Sequence, residues 1–292
     1  MITKALTKAI NLPCWKGAVY PQPLTGGITN INFVIEDEGE KYVVRIADDI
    51  ILHQVMRFNE LAASKAACSA GISPDVTYSE PGVLVIQFIE GKTLAAKDIQ
   101  KREMLERILP VLQACHRDVK KHIRGPALAF WVFHVVNDYA LTLKDAKSRM
   151  VDQLPALLTA AENLEKAVGM IEIIWGHNDL LPANFIDDGE KVWLIDWDYA
   201  GFNSPLFDLG GLASNCQLTT ADEEWLLENY YDKTVTDLLR YRYFAMKCAS
   251  LLRESMWSMV SEIYSNIDFD FKEYTDTNLA AFMKQYKIFL SM

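Results

Sequence analysis

The chain has 292 residues, half of them hydrophobic and about a quarter charged, as is ordinary for a soluble globular protein. Its formal net charge of −10 argues against a nucleic-acid partner, because phosphate backbones attract basic surfaces. The five cysteines are scattered, without metal-knuckle or redox spacing, and are expected to be buried thiols in a reducing compartment.

The sequence predicts neither a leader nor a membrane span. The first eight residues contain no apolar signal region. The longest apolar run, residues 127–136, includes His134 and is too short to cross a bilayer. We therefore expect no stable membrane insertion and a cytoplasmic location.

A Gly-Gly turn follows a short helix and lead-in that are predicted over residues 1–20. Gly26 and Gly27 are followed closely by Thr29 and Asn30, and a strand is predicted over 31–36. Such a turn can bring backbone N–H groups close to phosphate oxygens, although Gly-Gly turns are also common in ordinary hairpins. This turn is a candidate ATP contact.

A second strand, predicted over 41–46, carries one charge in an apolar run. Arg45 is either an exposed residue on a half-solvated sheet or a cation directed at nucleotide phosphates. A helix is predicted over 53–70, ended by Gly71, and it carries Glu60. Glu60 is expected to pair with Arg45 and hold its guanidinium, unless it simply faces solvent.

The pattern changes from strand-like to helical near residue 88. Strands are predicted over 76–78 and 83–88, and helical periodicity dominates later. We place a boundary here, and Gln87, Phe88 and Ile89 are predicted to form a hinge whose backbone bonds an adenine edge.

Helices are predicted over 98–121 and within 127–170. Pro110 is expected to kink or end the first of these, because proline lacks an N–H and clashes with the preceding turn. His116 is expected to be packed or solvent-facing rather than a ligand.

The most informative stretch is Gly176-His177-Asn178-Asp179-Leu180-Leu181-Pro182-Ala183-Asn184, followed by an apolar strand over 192–195 and Asp196. This layout is typical of phosphoryl transfer with ATP and magnesium. Asp179 is predicted to orient an attacking hydroxyl, and Asn184 and Asp196 to hold Mg²⁺ through hard oxygen ligands. The alternative is a set of structural Asp and Asn residues in turns. His177 is expected to pack and to bond the loop backbone.

These motifs resemble the choline/ethanolamine kinase family, within the kinases of the aminoglycoside-phosphotransferase fold. The resemblance rests on segments in family order, namely 26–30, 43–46, 59–60, 177–185, 195–199, 207–210 and 252–257. It implies an α+β, bilobal, protein-kinase-like fold. Residues 1–88 would form a β-rich nucleotide-binding lobe, and residues 89–292 a mostly helical catalytic and substrate-binding lobe.

The resemblance also implies an ATP- and Mg²⁺-dependent transfer to the hydroxyl of choline, a small cationic alcohol. Asp208, a good N-cap residue, would brace the catalytic loop. Asn215 stands where eukaryotic choline kinases have Glu, so one carboxylate for the cation is missing. The residues expected to line the acceptor pocket are Asp179, Asp198, Tyr199, Glu254, Trp257, Phe271 and Tyr274.

Three alternative acceptors remain open from the sequence, namely ethanolamine, thiamine and an aminoglycoside. A further alternative, from a different class, is a non-catalytic kinase fold that binds a cation. The joint presence of Asp179, Asn184 and Asp196 argues against that last alternative.

Overall fold

A computed structural model describes residues 2–24 and 30–292. A five-stranded antiparallel sheet lies in the N-terminal part, and helices make up most of the rest. Within the described residues, no helix is both long and apolar enough to cross a membrane. The elements in chain order are α1 Ile2–Ile10, β1 Gln22–Leu24, β2 Ile31–Asp37, β3 Glu40–Ile46, α2 Arg57–Ser69, β4 Val76–Glu80, β5 Val83–Gln87, β6 Lys92–Thr93, α3 Ala96–Ile99, α4 Arg102–Arg117, α5 Val132–Asp145, α6 Leu154–Val168, β7 Ile174–Gly176, β8 Phe185–Asp187, β9 Val192–Leu194, β10 Gly201–Asn203, α7 Pro205–Cys216, α8 Thr220–Tyr231, α9 Asp237–Tyr264 and α10 Phe271–Phe289.

The sheet has the strand order β1-β2-β3-β5-β4, and its two faces differ. Phe33, Ile35 and Val44 lie on one face and pack with α1 in a small apolar core. Successive side chains of a strand point to opposite faces, so Arg45 points away from that core. The second face is therefore available to form a polar cleft against the rest of the protein.

The helical part has a larger core, in which α9 packs against α5, α6, α7 and α10. Gly210 makes the approach of α7 to α9 possible, because a Cβ at this position would lie only 2.8 Å from the Cα of Lys247. This close packing places residues of α7 and α9 on the two sides of one cavity.

Two helix predictions need correction. The helix predicted from His53 begins at Arg57, and residues Ile51–His53 form a separate 3₁₀ turn. Helix α4 does not end at Pro110, which was one of the two expected outcomes, but continues to Arg117. The buried side chains of Leu105, Ile108 and Leu112 hold the helix against the core, and this packing offsets the backbone bond that proline removes.

Candidate active site

The backbone that leads to Asp179 is fixed by buried hydrogen bonds. After β7 the chain turns at Asn178, which has a left-handed φ of 66°. The carboxylate of Asp208 accepts the backbone N–H groups of His177 and Asn178, each at 2.7 Å. The side-chain amide of Asn178 also donates to the carbonyl of Tyr199 at 2.9 Å. The left-handed conformation is thus held from both sides.

Asp208 is itself anchored in the interior. Its Oδ2 lies 3.0 Å from Nε2 of His116, whose Nδ1 lies 2.8 Å from the hydroxyl of Tyr230. His116 and Asp208 are almost completely buried, which confirms that His116 is a packed residue. Asp208 is not the N-cap of α7, because Ser204 occupies that position and accepts the N–H of Leu206.

Asp179 lies at the edge of a cavity, with a side chain 19% exposed. Burial is the largest cause that raises the pKa of this carboxyl to about 7, and the nearby carboxylate of Glu254 acts in the same direction. The guanidinium of Arg253, with Nη1 3.7 Å from Oδ1 of Asp179, opposes this shift. A carboxylate in such surroundings can accept a hydrogen bond from a hydroxyl and respond to nearby charges.

Asn184 and Asp196 have the chemistry of a magnesium site. The amide of Asn184 donates to the carbonyl of Asp179 at 2.8 Å, which leaves its Oδ1 to act as an acceptor. Asp196 has a left-handed φ of 69°, and the N–H of Ile195 donates to the Asn184 carbonyl at 3.0 Å. An amide oxygen and a carboxylate held together in this way suit the hard oxygen coordination of Mg²⁺.

Two arginines and three carboxylates, one of which is Asp196, form a cluster. Nη1 of Arg45 lies 2.7 Å from Glu60, as predicted, and 2.9 Å from both Asp196 and Asp198. Nη1 of Arg57 lies 2.7 Å from Glu60 and 2.8 Å from Asp198. This arrangement ties the sheet, α2 and the segment after β9 into one charged unit, and it holds a guanidinium next to the candidate metal ligands.

Asp198 was expected to share a pocket with Asp179, but it is not among the residues that line the cavity beside Asp179. It is buried, and the guanidiniums of Arg45 and Arg57 keep its pKa low despite burial. The amide of Asn30 also donates to it at 3.1 Å. Gly26, Gly27 and Thr29, the other predicted residues of the Gly-Gly turn, lie outside the described residues.

A narrow cleft lies beside Ile86, the residue that directly precedes the predicted hinge. The cleft is lined by Val43, Ile86 and Ile195, with Arg45 and Asp196 at its polar side. The N–H of Gln87 donates to the backbone carbonyl of Asp75 at 2.9 Å, and that of Phe88 donates to the backbone carbonyl of Lys41 at 3.0 Å. These two N–H groups already serve the sheet, so an adenine edge would have to use other groups of residues 87–89.

Asp179 shares a cavity of about 620 Å³ with Glu254 and Tyr274, two of the other predicted acceptor residues. Glu254 accepts a hydrogen bond from the Tyr274 hydroxyl at 2.8 Å and another from Arg253 at 3.0 Å. Asn215 also lines this cavity, and its amide donates to the carbonyl of Leu180 at 3.1 Å. The wall of the cavity is therefore rich in hydrogen-bonding groups.

The other aromatic residues predicted for the acceptor pocket do not line the cavity that contains Asp179. Trp257 and Phe271 line a separate cavity of about 140 Å³ together with His53. The indole N–H of Trp257 donates to the hydroxyl of Tyr199 at 2.9 Å, and Tyr199 carries the guanidinium of Arg253 on its ring face. Tyr199, Trp257 and Phe271 are therefore not among the residues that line the cavity of Asp179, and Tyr199 instead contacts Arg253 and Trp257.

Sequence reasoning missed Arg57 and Arg253. Arg57 precedes Glu60 by three residues on the same helix, and this spacing in the sequence is typical of an ion pair. Arg253 adjoins Glu254 in the chain, but its burial depends on Tyr199 and Phe130, which are distant in sequence.

His177 behaves as predicted, because it packs on Trp197 and its Nε2 lies 2.9 Å from the Ile195 carbonyl.

The fold and this constellation define a kinase-like phosphotransferase. A model of the choline/ethanolamine kinase family matches residues 22–226. The protein LicA of Haemophilus influenzae is 26% identical over 276 residues, which cover 89% of this chain and 78% of LicA. The chain belongs to the choline/ethanolamine kinase family, and it is an ATP-dependent phosphotransferase with an alcohol group as acceptor.

Solved structures agree with the fold. A choline/ethanolamine kinase family protein from Mesorhizobium loti has a TM-score of 0.79 and 26% identity, with 98% of this chain and 94% of that chain covered. The choline kinase LicA from Streptococcus pneumoniae has a TM-score of 0.81 and 22% identity, with 98% and 99% covered. The bilobal kinase-like architecture expected from the sequence is thereby confirmed.

Proposed function

We propose that the protein transfers the γ-phosphoryl group of ATP to the hydroxyl of choline. The observation that carries this proposal is the placement of two carboxylates, Asp179 and Glu254, on the wall of one cavity with a single guanidinium beside them. Two negative charges and one positive charge leave an excess of one negative charge, which suits a monovalent cationic alcohol.

Asp179 orients the acceptor hydroxyl in this proposal. Phosphoryl transfer is loose and needs little base strength, so the chief contribution of this carboxylate is position. The hydrogen bonds that Asp208 accepts from the N–H groups of His177 and Asn178 provide that position, because they fix the backbone that leads to Asp179. A misplacement of about 1 Å would cost on the order of a hundredfold in rate.

Asn184 and Asp196 would hold Mg²⁺. The ion would supply charge neutralisation for the β- and γ-phosphates of ATP when bound. Arg45, held by Glu60 and accompanied by Arg57, adds a cation on the same side of the cleft. An arginine suits this task because its fork can contact phosphate oxygens bidentately and stays charged.

We further propose that residues 1–88 bind the nucleotide and that residues 89–292 carry the catalytic loop and the acceptor site. The five-stranded sheet ends at Gln87, and Asp179, Glu254 and Tyr274 all follow it in the chain. The cleft lined by Val43, Ile86 and Ile195 lies between the sheet and the segment after β9, with Arg45 and Asp196 beside it.

Ethanolamine is the second candidate acceptor, and a specific observation favours it. Glu254, Tyr274 and Asn215 offer hydrogen-bonding oxygens on the cavity wall, whereas Trp257 and Phe271 lie on a different cavity. A primary ammonium donates hydrogen bonds to such oxygens, but a quaternary ammonium depends mainly on aromatic faces and charge.

An acceptor panel tests the proposal. The protein is incubated with Mg²⁺ and ATP radiolabelled at the γ-phosphate, together with choline, ethanolamine, thiamine or an aminoglycoside. We expect a labelled phosphate ester with choline, and none from Asp179→Ala. If only ethanolamine yields a labelled product, the acceptor is ethanolamine and the proposal of choline is wrong. No product with any acceptor, together with no thermal stabilisation by ATP and Mg²⁺, would reject the enzyme.

A further inference from the structure

Arg253 is a buried cation with an incomplete set of hydrogen bonds. It is 4% exposed, and its Nη1 lies 3.0 Å from Glu254 and 3.7 Å from Asp179. Its Nε and Nη2 are also buried, and neither has a hydrogen-bond partner in the described part of the chain. Orphaned donors on a buried charged group are costly, so their retention at a site calls for a functional reason.

Aromatic faces hold this guanidinium in place. Its central carbon lies 4.3 Å from the ring centre of Tyr199 and 5.5 Å from that of Phe130. Cation–π attraction of this kind stabilises a desolvated cation without satisfying its N–H groups. The two rings thus fix the position of a positive charge, while Nη1 remains directed at the two carboxylates.

The other charged groups on the cavity wall are compensated or exposed. Nζ of Lys247 lies 2.6 Å from the buried carboxylate of Glu223. Asp208 accepts hydrogen bonds from two backbone N–H groups, and its Oδ2 lies 3.0 Å from Nε2 of His116. Lys284 is exposed to solvent, where water screens its charge. The charge felt deep in the cavity therefore depends mainly on the balance between Arg253 and the carboxylates of Asp179 and Glu254.

We propose that Arg253 is a specificity-determining residue, which cancels one of two carboxylate charges so that one monovalent cation completes the site. The inference rests on the proposed function, since it requires that the acceptor enters this cavity. With Arg253 present, the cavity keeps one uncompensated negative charge and discriminates against neutral alcohols. The selection acts through net charge, so it can be altered and restored by paired substitutions.

The test measures two dissociation constants by calorimetry at about pH 9, where the carboxyl of Asp179 is ionised, in the absence of ATP. One is for choline, and the other is for its neutral isostere, in which carbon replaces the quaternary nitrogen. The ratio of the two constants reports charge selection and cancels effects of shape. It is measured for wild type, Glu254→Gln, Arg253→Met and the double variant, with Arg253→Lys as the charge-conserving control. Thermal melting verifies that each variant is folded.

The charge balance predicts an order for the preference for choline. Glu254→Gln leaves no net charge and should lose the preference by about tenfold or more. Arg253→Met leaves two negative charges and should keep or increase the preference. The double variant again has one negative charge and should return to within about threefold of wild type. Arg253→Lys should resemble wild type.

Two results would overturn the inference. One is a double variant that discriminates as poorly as Glu254→Gln, and the other is an Arg253→Met protein with reduced preference for choline. The double variant removes a buried ion pair as a unit, which proteins often tolerate, so it remains informative if a single variant is unstable. If wild type phosphorylates choline but the ratios do not follow charge, only this inference fails. If wild type neither binds nor phosphorylates choline, the proposed function fails first.

Discussion

The hydrogen bonds made by Asp208 give the most specific prediction about how the catalytic loop is held. The substitution Asp208→Asn keeps the shape of the side chain but replaces one oxygen by an NH₂ group. If Oδ1 continues to accept from Asn178, the new amide faces the N–H of His177 and Nε2 of His116. The buried N–H of His177 then loses its acceptor, and the hydrogen bond from the N–H of Asn178 has a neutral acceptor in place of a carboxylate.

The expected destabilisation follows from these contacts. An unsatisfied buried donor costs about 1–3 kcal/mol, and a hydrogen bond to a charged group is worth roughly 1 kcal/mol more than a neutral one. The loss is therefore about 2–4 kcal/mol, or roughly 5–15 °C in melting temperature at about 2–4 °C per kcal/mol. We also expect kcat to fall by about a hundredfold, because the backbone before Asp179 is released.

Thermal melting and steady-state kinetics measure both effects. Asp187→Asn is the matched control, because Asp187 makes two hydrogen bonds of 2.7 Å to Arg107 at a partly exposed site. That pair should be worth less than about 1 kcal/mol, and its loss should leave kcat unchanged. If Asp208→Asn melts and turns over like the control, the bracing role of Asp208 is refuted.

Three further predictions concern the cleft and the cavity. The kcat/KM for the acceptor should fall on acidification below about pH 7, because the raised pKa of Asp179 leaves its carboxyl neutral there; a profile flat to pH 5 would contradict this. Arg45→Lys keeps the charge but not the fork, and it should raise the KM for ATP by about tenfold with no change in the acceptor KM. Trp257→Ala should raise the choline KM by about tenfold or more while the ATP KM stays constant, because the indole supports Tyr199 behind Arg253; equal effects on both would show a purely structural role.

Local patterns predicted four of the five strands of the sheet, and β1, Gln22–Leu24, was not predicted. The alternation of residues 31–36 and 41–46 around a polar turn is enough to specify β2 and β3, whose observed bounds extend by one residue at the turn. The start of α2 was predicted too early because His53 bonds Tyr139 and Ser261, and these distant contacts hold the segment outside the helix. Local propensity contains no information about such partners.

In the candidate site, too, some contacts were predicted from local sequence and others depend on residues that are distant in the chain. The pairing of Arg45 with Glu60 was predicted because a strand cation and a helix acid at this spacing are a recurrent combination. The position of Asp198 was not predicted, because its contacts with Arg45, Arg57 and Asn30 join residues that are distant in sequence. The position of Trp257 on a different cavity from Asp179 likewise depends on how α9 packs, which composition does not determine.

The most direct test of the central claim is the rate of transfer of labelled γ-phosphate from ATP to choline by wild type and by Asp179→Asn. The substitution preserves size but removes the carboxylate that orients the hydroxyl. We predict phosphocholine from wild type and a loss of about a hundredfold or more in the variant, with ATP binding unchanged. A variant that makes phosphocholine at the wild-type rate would contradict the account.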